Sequence, residues 1–302
     1  MRFVVTGGAG FIGSHIVKLL LENKYEVTVI DNLHTGQKQN IESIIDQIDF
    51  YEVDIRDYQK ISKIIENSDG IFHQAALTSV PESYEIPEMY YDVNVIGTEN
   101  IFKLAKNYHL KVVYASSSSV YGNVNEIPIN ENSQRNPLNP YGKTKLDDET
   151  IAQNFSNDGT EIVGLRYFNV YGIGQTGTYA GVITKFMQNL SQQLPPIIYG
   201  DGSQTRDFIH VLDIAAANLK VMNSSLSSGF FNVGTGKIIS IKELAEKMIK
   251  LYEHDVTPLY KNPLPGDVKQ SQADIQKLKN LIDWEYNIEI HEGLENIIKN
   301  EI

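Results

Sequence analysis

The chain contains no cysteine, so disulfides, thiolate metal sites and cysteine nucleophiles are all excluded. It has no apolar run near the ~20 residues that a membrane-crossing helix needs, and no membrane partner is expected. The opening MRFVVTGG passes from a strand-like stretch directly into glycines, without the charged, apolar and small-residue regions of a signal peptide. Three N-x-S sequons, at Asn154, Asn189 and Asn223, read as incidental in that setting, and a cytoplasmic protein is the expectation. Positive charge is scarce: Lys+Arg number 26 against 38 Asp+Glu, for a net charge of -12. Nucleic acid, which calls for a basic footprint, is not an expected partner, whereas a nucleotide-sized anion held by local groups remains open. The seven histidines are scattered and no dense His/Asp/Glu cluster appears, so no metal is expected.

What is present is an alternation. RFVVTG, YEVTVID, DFYEVDI, GIFHQAA, KVVYASS and EIVGLRYFNV read as strands. Helical stripes lie between them, such as Ile12, Ile16, Leu19 and Leu20, or Ile61, Ile64 and Ile65, and a long helical pattern runs from about Pro87 to Tyr108. Strands separated by helices predict an α/β fold, a Rossmann-type doubly wound parallel sheet with ligands at the strands' carboxyl ends. After Asn169 the loops lengthen, and Ser240 with Glu243 forms a capping box ahead of LAEKMIKLY. The expected division is a dinucleotide-binding domain over 1–168 and a smaller, loop-rich lobe over 169–302, with some segments returning to the first domain.

VVTGGAGFIGSH puts Gly7, Gly10 and Gly13 at a strand-to-helix turn. Gly7 permits the tight turn, Gly10 lets the backbone approach a pyrophosphate, and Gly13 lets helix and sheet pack closely; the helix N-terminus supplies donors for the anion. Glycine turns are common for structural reasons alone, but Asp31 closes the second strand 18 residues after Gly13, where an acid takes the adenosine ribose hydroxyls. A carboxylate there repels the extra phosphate of NADP and favours NAD. Phe11 and Ile12 belong to the same turn. Asp54, with Ile55 beside it, closes the third strand and is placed to accept from the adenine amino group, or is simply a surface acid at a strand end.

NPYGKTK carries Tyr141 and Lys145 four residues apart, hence on one helix face. A free tyrosine, with a pKa near ~10, is too weakly ionised to be a base at neutral pH, and a neighbouring ammonium favours the phenolate. The pair alone is a frequent accident. It gains meaning from the strand before it, KVVYASS, whose carboxyl end brings Ser116 to Ser119 into the crevice about 25 residues ahead of Tyr141. A serine hydroxyl there is able to share a proton moving between a substrate hydroxyl and Tyr141.

These stretches, together with DNLHTG, YYDVNVIGT, LRYFNVYG, DGSQTRDFIHVLDI, FNVGTG and PGDVKQSQAD, run almost the length of the chain. Together they resemble the extended short-chain dehydrogenase/reductases, and among them the UDP-hexose 4-epimerases. The resemblance implies reversible C4 epimerisation of a UDP-sugar through a transient 4-keto sugar, with tightly bound NAD. It assigns Ser117, Tyr141 and Lys145 to catalysis, and Ser118 to contact with the hexose, leaving Ser116 and Ser119 to packing. Asn32, Ala75, Ala76, Asn94 and Tyr167 fall on cofactor-side positions; Asn169, Lys185, Tyr199, Gln204, Arg206 and Asp267 fall along the UDP-sugar groove. Leu264 stands where many relatives carry a diphosphate-binding arginine, so Arg206, helix dipoles, Lys261 or Lys269 must serve. No acid follows Ser117, unlike in the 4,6-dehydratases and uronate decarboxylases, which favours epimerisation. Ser271 is the expected wall residue, small enough to admit an N-acetyl group and so UDP-GlcNAc/UDP-GalNAc beside UDP-Glc/UDP-Gal. The alternatives are another nucleotide-sugar reaction of the family, with net oxidation or reduction among them, or a non-catalytic NAD sensor. A homodimer through helices around 87–108 and 141–155 is also implied.

Overall fold

Stretches dense in valine, isoleucine and phenylalanine pair into one parallel sheet in the computed structural model, which describes residues 1–124, 126–175, 181–263 and 268–301. The first six strands are β1 (Arg2–Thr6), β2 (Glu26–Asp31), β3 (Asp49–Glu52), β4 (Gly70–His73), β5 (Lys111–Ser117) and β6 (Ile162–Tyr167). After the lobe strands β7 (Asn169–Tyr171), β8 (Ile197–Tyr199), β9 (Thr205–Arg206) and β10 (Phe208–His210), the chain returns as β11 (Ser228–Val233). The sheet order is β3-β2-β1-β4-β5-β6-β11, with every pair parallel. Order reverses between β1 and β4, which opens a crevice at their carboxyl ends.

Both faces of the sheet are covered, which is why its strands are continuous apolar runs rather than alternating ones. On one face α1 (Phe11–Glu22) and the late helix α8 (Val211–Met222) bury Ile16, Leu20, Ile214 and Val221 against Val5, Val29 and Val163. On the other, α2 (Tyr58–Ile65), α5 (Gly97–Tyr108) and α6 (Pro140–Asn157) bury Ile61, Ile101, Phe102 and Ala152 against Val4, Ile71 and Val112. Residues 211–233 therefore belong to the sheet layer. The chain leaves the sheet at Phe168, so EIVGLRYFNV, one apolar run in sequence, is two strands in two different sheets.

The long helical pattern from Pro87 is also divided. Short α3 (Val80–Glu85) and α4 (Pro87–Tyr90) lead into a π-helical turn over Tyr91–Ile96, and α5 follows. The lobe packs α7 (Val182–Ser191), α9 (Ile241–Leu251) and α11 (Ile290–Glu301) around Phe186, Leu190, Leu244, Met248 and Leu294. The Ser240–Glu243 capping box starts α9. Strand β12 (Ile239–Ser240) pairs with β9, β13 (Leu259–Lys261) pairs with β8, and α10 (Gln276–Ile282) lies near the end of the chain. None of the described helices is long and apolar enough to cross a membrane.

Candidate active site

A cleft of about 990 Å³ runs from the β1–α1 turn, past the ends of β4, β5 and β6, into the lobe. Its first part is shaped by backbone. Gly7 has φ +69°, a left-handed conformation favouring glycine, and a Cβ there would stand 2.6 Å from the Ala75 amide nitrogen. A Cβ on Gly13 would collide with the Gly7 carbonyl, which is how close helix and turn approach. Helix α1 begins at Gly10 with no side-chain cap and no acid in its first turn, so its positive end stays available to an anion. Gly7, Gly10, Phe11, Ile12, Gly13, Asp31, Asn32, Ile55, Ala75, Ala76 and Tyr167 all line this end of the cleft. Asp31 accepts from the amides of Ala9 (2.9 Å) and Leu33 (2.8 Å), and burial raises its pKa against those bonds. The cradle, dipole end and buried acid fit a dinucleotide.

Two expected contacts are otherwise engaged. Strand β3 ends at Glu52, and Asp54 beyond it does not line the cleft. Its carboxylate accepts from Asn32 Nδ2 at 2.8 Å and from Arg56 Nε and NH2 at 2.9 and 2.8 Å, bonds that hold it well below the usual carboxylate range. Asn94 is buried in the π-helical turn. Its Oδ1 accepts from the Leu77 amide at 2.8 Å, and its Nδ2 donates to Leu77 O and Thr144 Oγ1. It fixes the loop after β4 to α6 rather than facing the cleft.

At the ends of β5 and β6, Ser117, Tyr141 and Lys145 line the cleft together. Asn139 caps α6 by accepting from the Gly142 amide, which sets Tyr141 in the helix's first turn and Lys145 one turn on. Ser117 Oγ donates to Ser119 Oγ at 3.0 Å and accepts from the Ser119 amide at 3.1 Å. Ser119 rather than Ser118 lines the cleft beside Ser117, because the 3-10 turn after the strand folds Ser119 back onto the Ser117 hydroxyl. Ser116 Oγ donates to buried Glu149 at 2.7 Å.

Beneath these residues lies a layer that motif reading missed. Glu149 takes a two-pronged bond from Arg166 (2.8 Å each), whose NH1 also reaches Tyr121 Oη at 2.7 Å. Burial pushes Tyr121 up to about 12. His73 bonds to Thr6 and Thr98, and burial, with the charge of Lys145 second, pushes it down to about 3, so the ring is neutral. Lys145 Nζ donates to fully buried Asp148 at 3.1 Å, and burial pushes Asp148 up to about 7 against the pull of Lys145. The signal for Glu149 and Asp148 lay in the helical phase of Tyr141 and Lys145, which carries that face inward.

In the lobe, Asn169, Lys185, Tyr199, Gln204 and Arg206 line the cleft's far half. Gln204 Nε2 donates to Tyr199 O at 2.7 Å, and Arg206 NH1 to Thr205 O at 2.8 Å. Asp207 next to it is buried and accepts from Thr235, Gly236 and Ala273, which anchors the strand carrying Arg206. Lys261 and Lys269 are exposed and do not line the cleft; Leu264 and Asp267 lie outside the described residues. Ser271 is buried and does not line the cleft; its amide donates to Thr205 O at 3.2 Å, and the Thr205–Gln270 bridge ties that stretch to β9.

A seven-stranded doubly wound sheet with a glycine cradle at the switch point, a buried acid closing β2, and Ser117, Tyr141 and Lys145 on the same cleft defines a dinucleotide-dependent enzyme. The match to the family model "NAD dependent epimerase/dehydratase family" spans residues 3–234, and the chain belongs to that family, with NAD as its cofactor. A relative from Methanocaldococcus jannaschii, provisionally named a UDP-glucose 4-epimerase, is 40% identical over 304 residues, covering 98% of this chain and 96% of its own. The structure of a UDP-N-acetylglucosamine 4-epimerase from Methanobrevibacter ruminantium, solved with UDP-N-acetylmuramic acid, superimposes with TM-score 0.94 at 38% identity, covering 99% and 97% of the two chains. That of the Thermus thermophilus UDP-glucose 4-epimerase with NAD gives TM-score 0.91 at 32% identity, covering 99% and 98%. Likeness also reaches a UDP-N-acetyl-alpha-D-glucosaminuronate decarboxylase from Bacillus cytotoxicus, 30% identical over 99% of this chain and 97% of its own.

Proposed function

We propose that the protein interconverts UDP-hexoses at C4: UDP-glucose with UDP-galactose, and UDP-GlcNAc with UDP-GalNAc. The observation that carries this reading is the turn after β5. Ser117 and Ser119 line the cleft there together with Tyr141 and Lys145, with no carboxylate in the turn to assist elimination or loss of CO₂. Tyr141 takes the proton of the sugar 4-hydroxyl and returns it, and Ser117 shares that proton in transit. Lys145 holds its positive charge one helical turn from the phenol oxygen's residue. Bound NAD, held by the Gly7–Gly13 turn and Asp31, supplies a two-electron acceptor that gives the electrons back to the same carbon. Lys185, Gln204 and Arg206 hold the nucleotide diphosphate and sugar, the Arg206 fork suiting a phosphate. Acceptance of the N-acetyl group is supported by the likeness to the Methanobrevibacter epimerase and no longer by Ser271.

The test is proton NMR of purified protein with UDP-galactose and UDP-GlcNAc in separate tubes, without added NAD. Appearance of both C4 epimers is expected, and Tyr141→Phe should slow each by about 10²-fold or more. Turnover of UDP-galactose alone would restrict the reading to plain hexoses. The Bacillus relative favours a second reading, decarboxylation of a UDP-uronate. CO₂ release from such a substrate, with no epimer formed from the hexoses, would replace the first.

A further inference from the structure

Lys145 lies one helical turn after Tyr141 and one turn before Asp148 on α6. Tyr141, Lys145 and Asp148 are spaced by four and then three residues, so they follow one another along one face of α6 over about 10 Å. The Lys145 and Asp148 side chains are 3% and 0% exposed, and their ion pair spans 3.1 Å. Asp148 Oδ2 accepts from the ammonium, while buried Oδ1 has no hydrogen-bond partner among the described residues. Burying a carboxylate with a spare oxygen is destabilising, and a neutral side chain would fill the same space without that cost.

The neighbouring charges are occupied with each other. Glu149 is bound by Arg166, Arg135 and Ser116; Asp147 pairs with Lys143; Glu82 of α3 accepts from Tyr90 of α4; Glu99 and Lys103 of α5 pair near the surface. From the sheet, Tyr114 of β5 and His73 of β4 face the pair, and burial keeps both uncharged. Lys145 is thus the cation that answers Asp148.

We propose that Asp148 is a positioning residue of the Tyr141–Lys145 pair: its carboxylate draws the ammonium toward the helix's C-terminal side and offsets part of its charge at Tyr141. The inference rests on the roles proposed above for that pair. It predicts that the positive charge Lys145 presents toward Tyr141 falls as Asp148 becomes charged. Burial brings Asp148 up to about 7, so its charge changes near neutral pH. The rising limb of kcat/KM against pH then spans more than one ionisation in the wild type.

The experiment is the pH profile of UDP-galactose epimerisation by holoenzyme, for wild type, Asp148→Asn and Asp148→Glu. Asparagine keeps the shape and an oxygen for Lys145 but removes the charge. Its limb should steepen to a single ionisation and move down by about half a pH unit, leaving about threefold more of the plateau rate on the acid side. Asp148→Glu should return the limb to the wild-type position, which a merely structural role would not produce. Superimposed wild-type and Asp148→Asn limbs would overturn this inference alone. So would a wild-type limb already described by one ionisation, a result that needs no variant to fold. No turnover of any UDP-sugar by the wild type would overturn the functional reading and this inference with it.

Discussion

Asp148 also leaves a mark on stability that is separate from turnover. Its folded pKa, about 7, lies above the ordinary aspartate value of 3.8. A raised carboxyl pKa means the folded state binds the proton more tightly, so its contribution is complete at acid pH. It is lost as pH rises from about 4 through about 7. A shift of three units corresponds to about 4 kcal/mol at most, since Lys145 relaxes around the pair. Asp148→Asn cannot ionise. Its melting temperature relative to wild type should therefore rise between pH 5 and pH 8, with the other buried acids, Asp31, Asp207 and Asp213, common to both proteins and cancelling. Parallel melting curves across that range would show that Asp148 ionises in the fold as readily as in the unfolded chain, so that burial does not raise its pKa. The sequence shows Tyr141 and Lys145 clearly because their spacing matches the chemistry. Asp148 and Glu149 are hidden by their neighbours: Asp147-Asp148-Glu149 reads as a solvated acidic face until packing against β5 and β6 shows that two of the three are buried. Ser119 is hidden for a related reason, since strand alternation stops at Ser117 and a 3-10 turn takes over.

The elements were legible where a single periodicity governs them. The six leading strands and the glycine turn follow from apolar runs and turn residues, and the α9 start follows from its capping box. Two boundaries escaped because sequence periodicity does not report which partner a segment will choose. The apolar run through Phe168 changes sheets without changing composition, and β11 rejoins the first sheet after the chain has passed through the lobe over residues 169–210. The third case is the π-helical turn over Tyr91–Ile96, within which Asn94 is buried. Asn94 replaces the Leu77 backbone's missing partners, donating to its carbonyl and accepting from its amide, and reaches Thr144 on α6. A widened turn lets one residue serve both directions. Asn94→Ala leaves the buried Leu77 amide and carbonyl unpaired and should cost about 1–3 kcal/mol per group in denaturant unfolding. Because the loop after β4 lines the cleft, NAD retention on purification should fall in the same variant. Full stability with full NAD content would show that the π-helical turn is held by its neighbours and not by Asn94.

For the molecule as a whole, the surface outside the cleft carries the remaining question, whether two copies associate. The sequence resemblance implies pairing through the helices around 87–108 and 141–155, and the fold sets those helices side by side on one face of the sheet. Tyr91 and Ile96, flanking the π-helical turn, keep 49% and 39% of their surface exposed. Apolar side chains grouped at one place on a chain with net charge -12 need a neutral, apolar cover to be excluded from water, and a second copy of the same face supplies one by two-fold symmetry. Charge acts in the opposite sense: copies bearing the same net charge repel, so the pairing must be local and tolerant of that repulsion. Light scattering on the eluting protein should then give twice the 34.0 kDa chain mass at micromolar concentration, more completely at higher salt, where the repulsion is screened. If copies pair through this face, Ile96→Glu puts a carboxylate on the paired surface of each copy. That variant should elute at the single-chain mass with its fold intact by circular dichroism. If wild type and Ile96→Glu run at one and the same mass, the face around the π-helical turn is not where copies meet, and the exposed Tyr91 and Ile96 are ordinary surface.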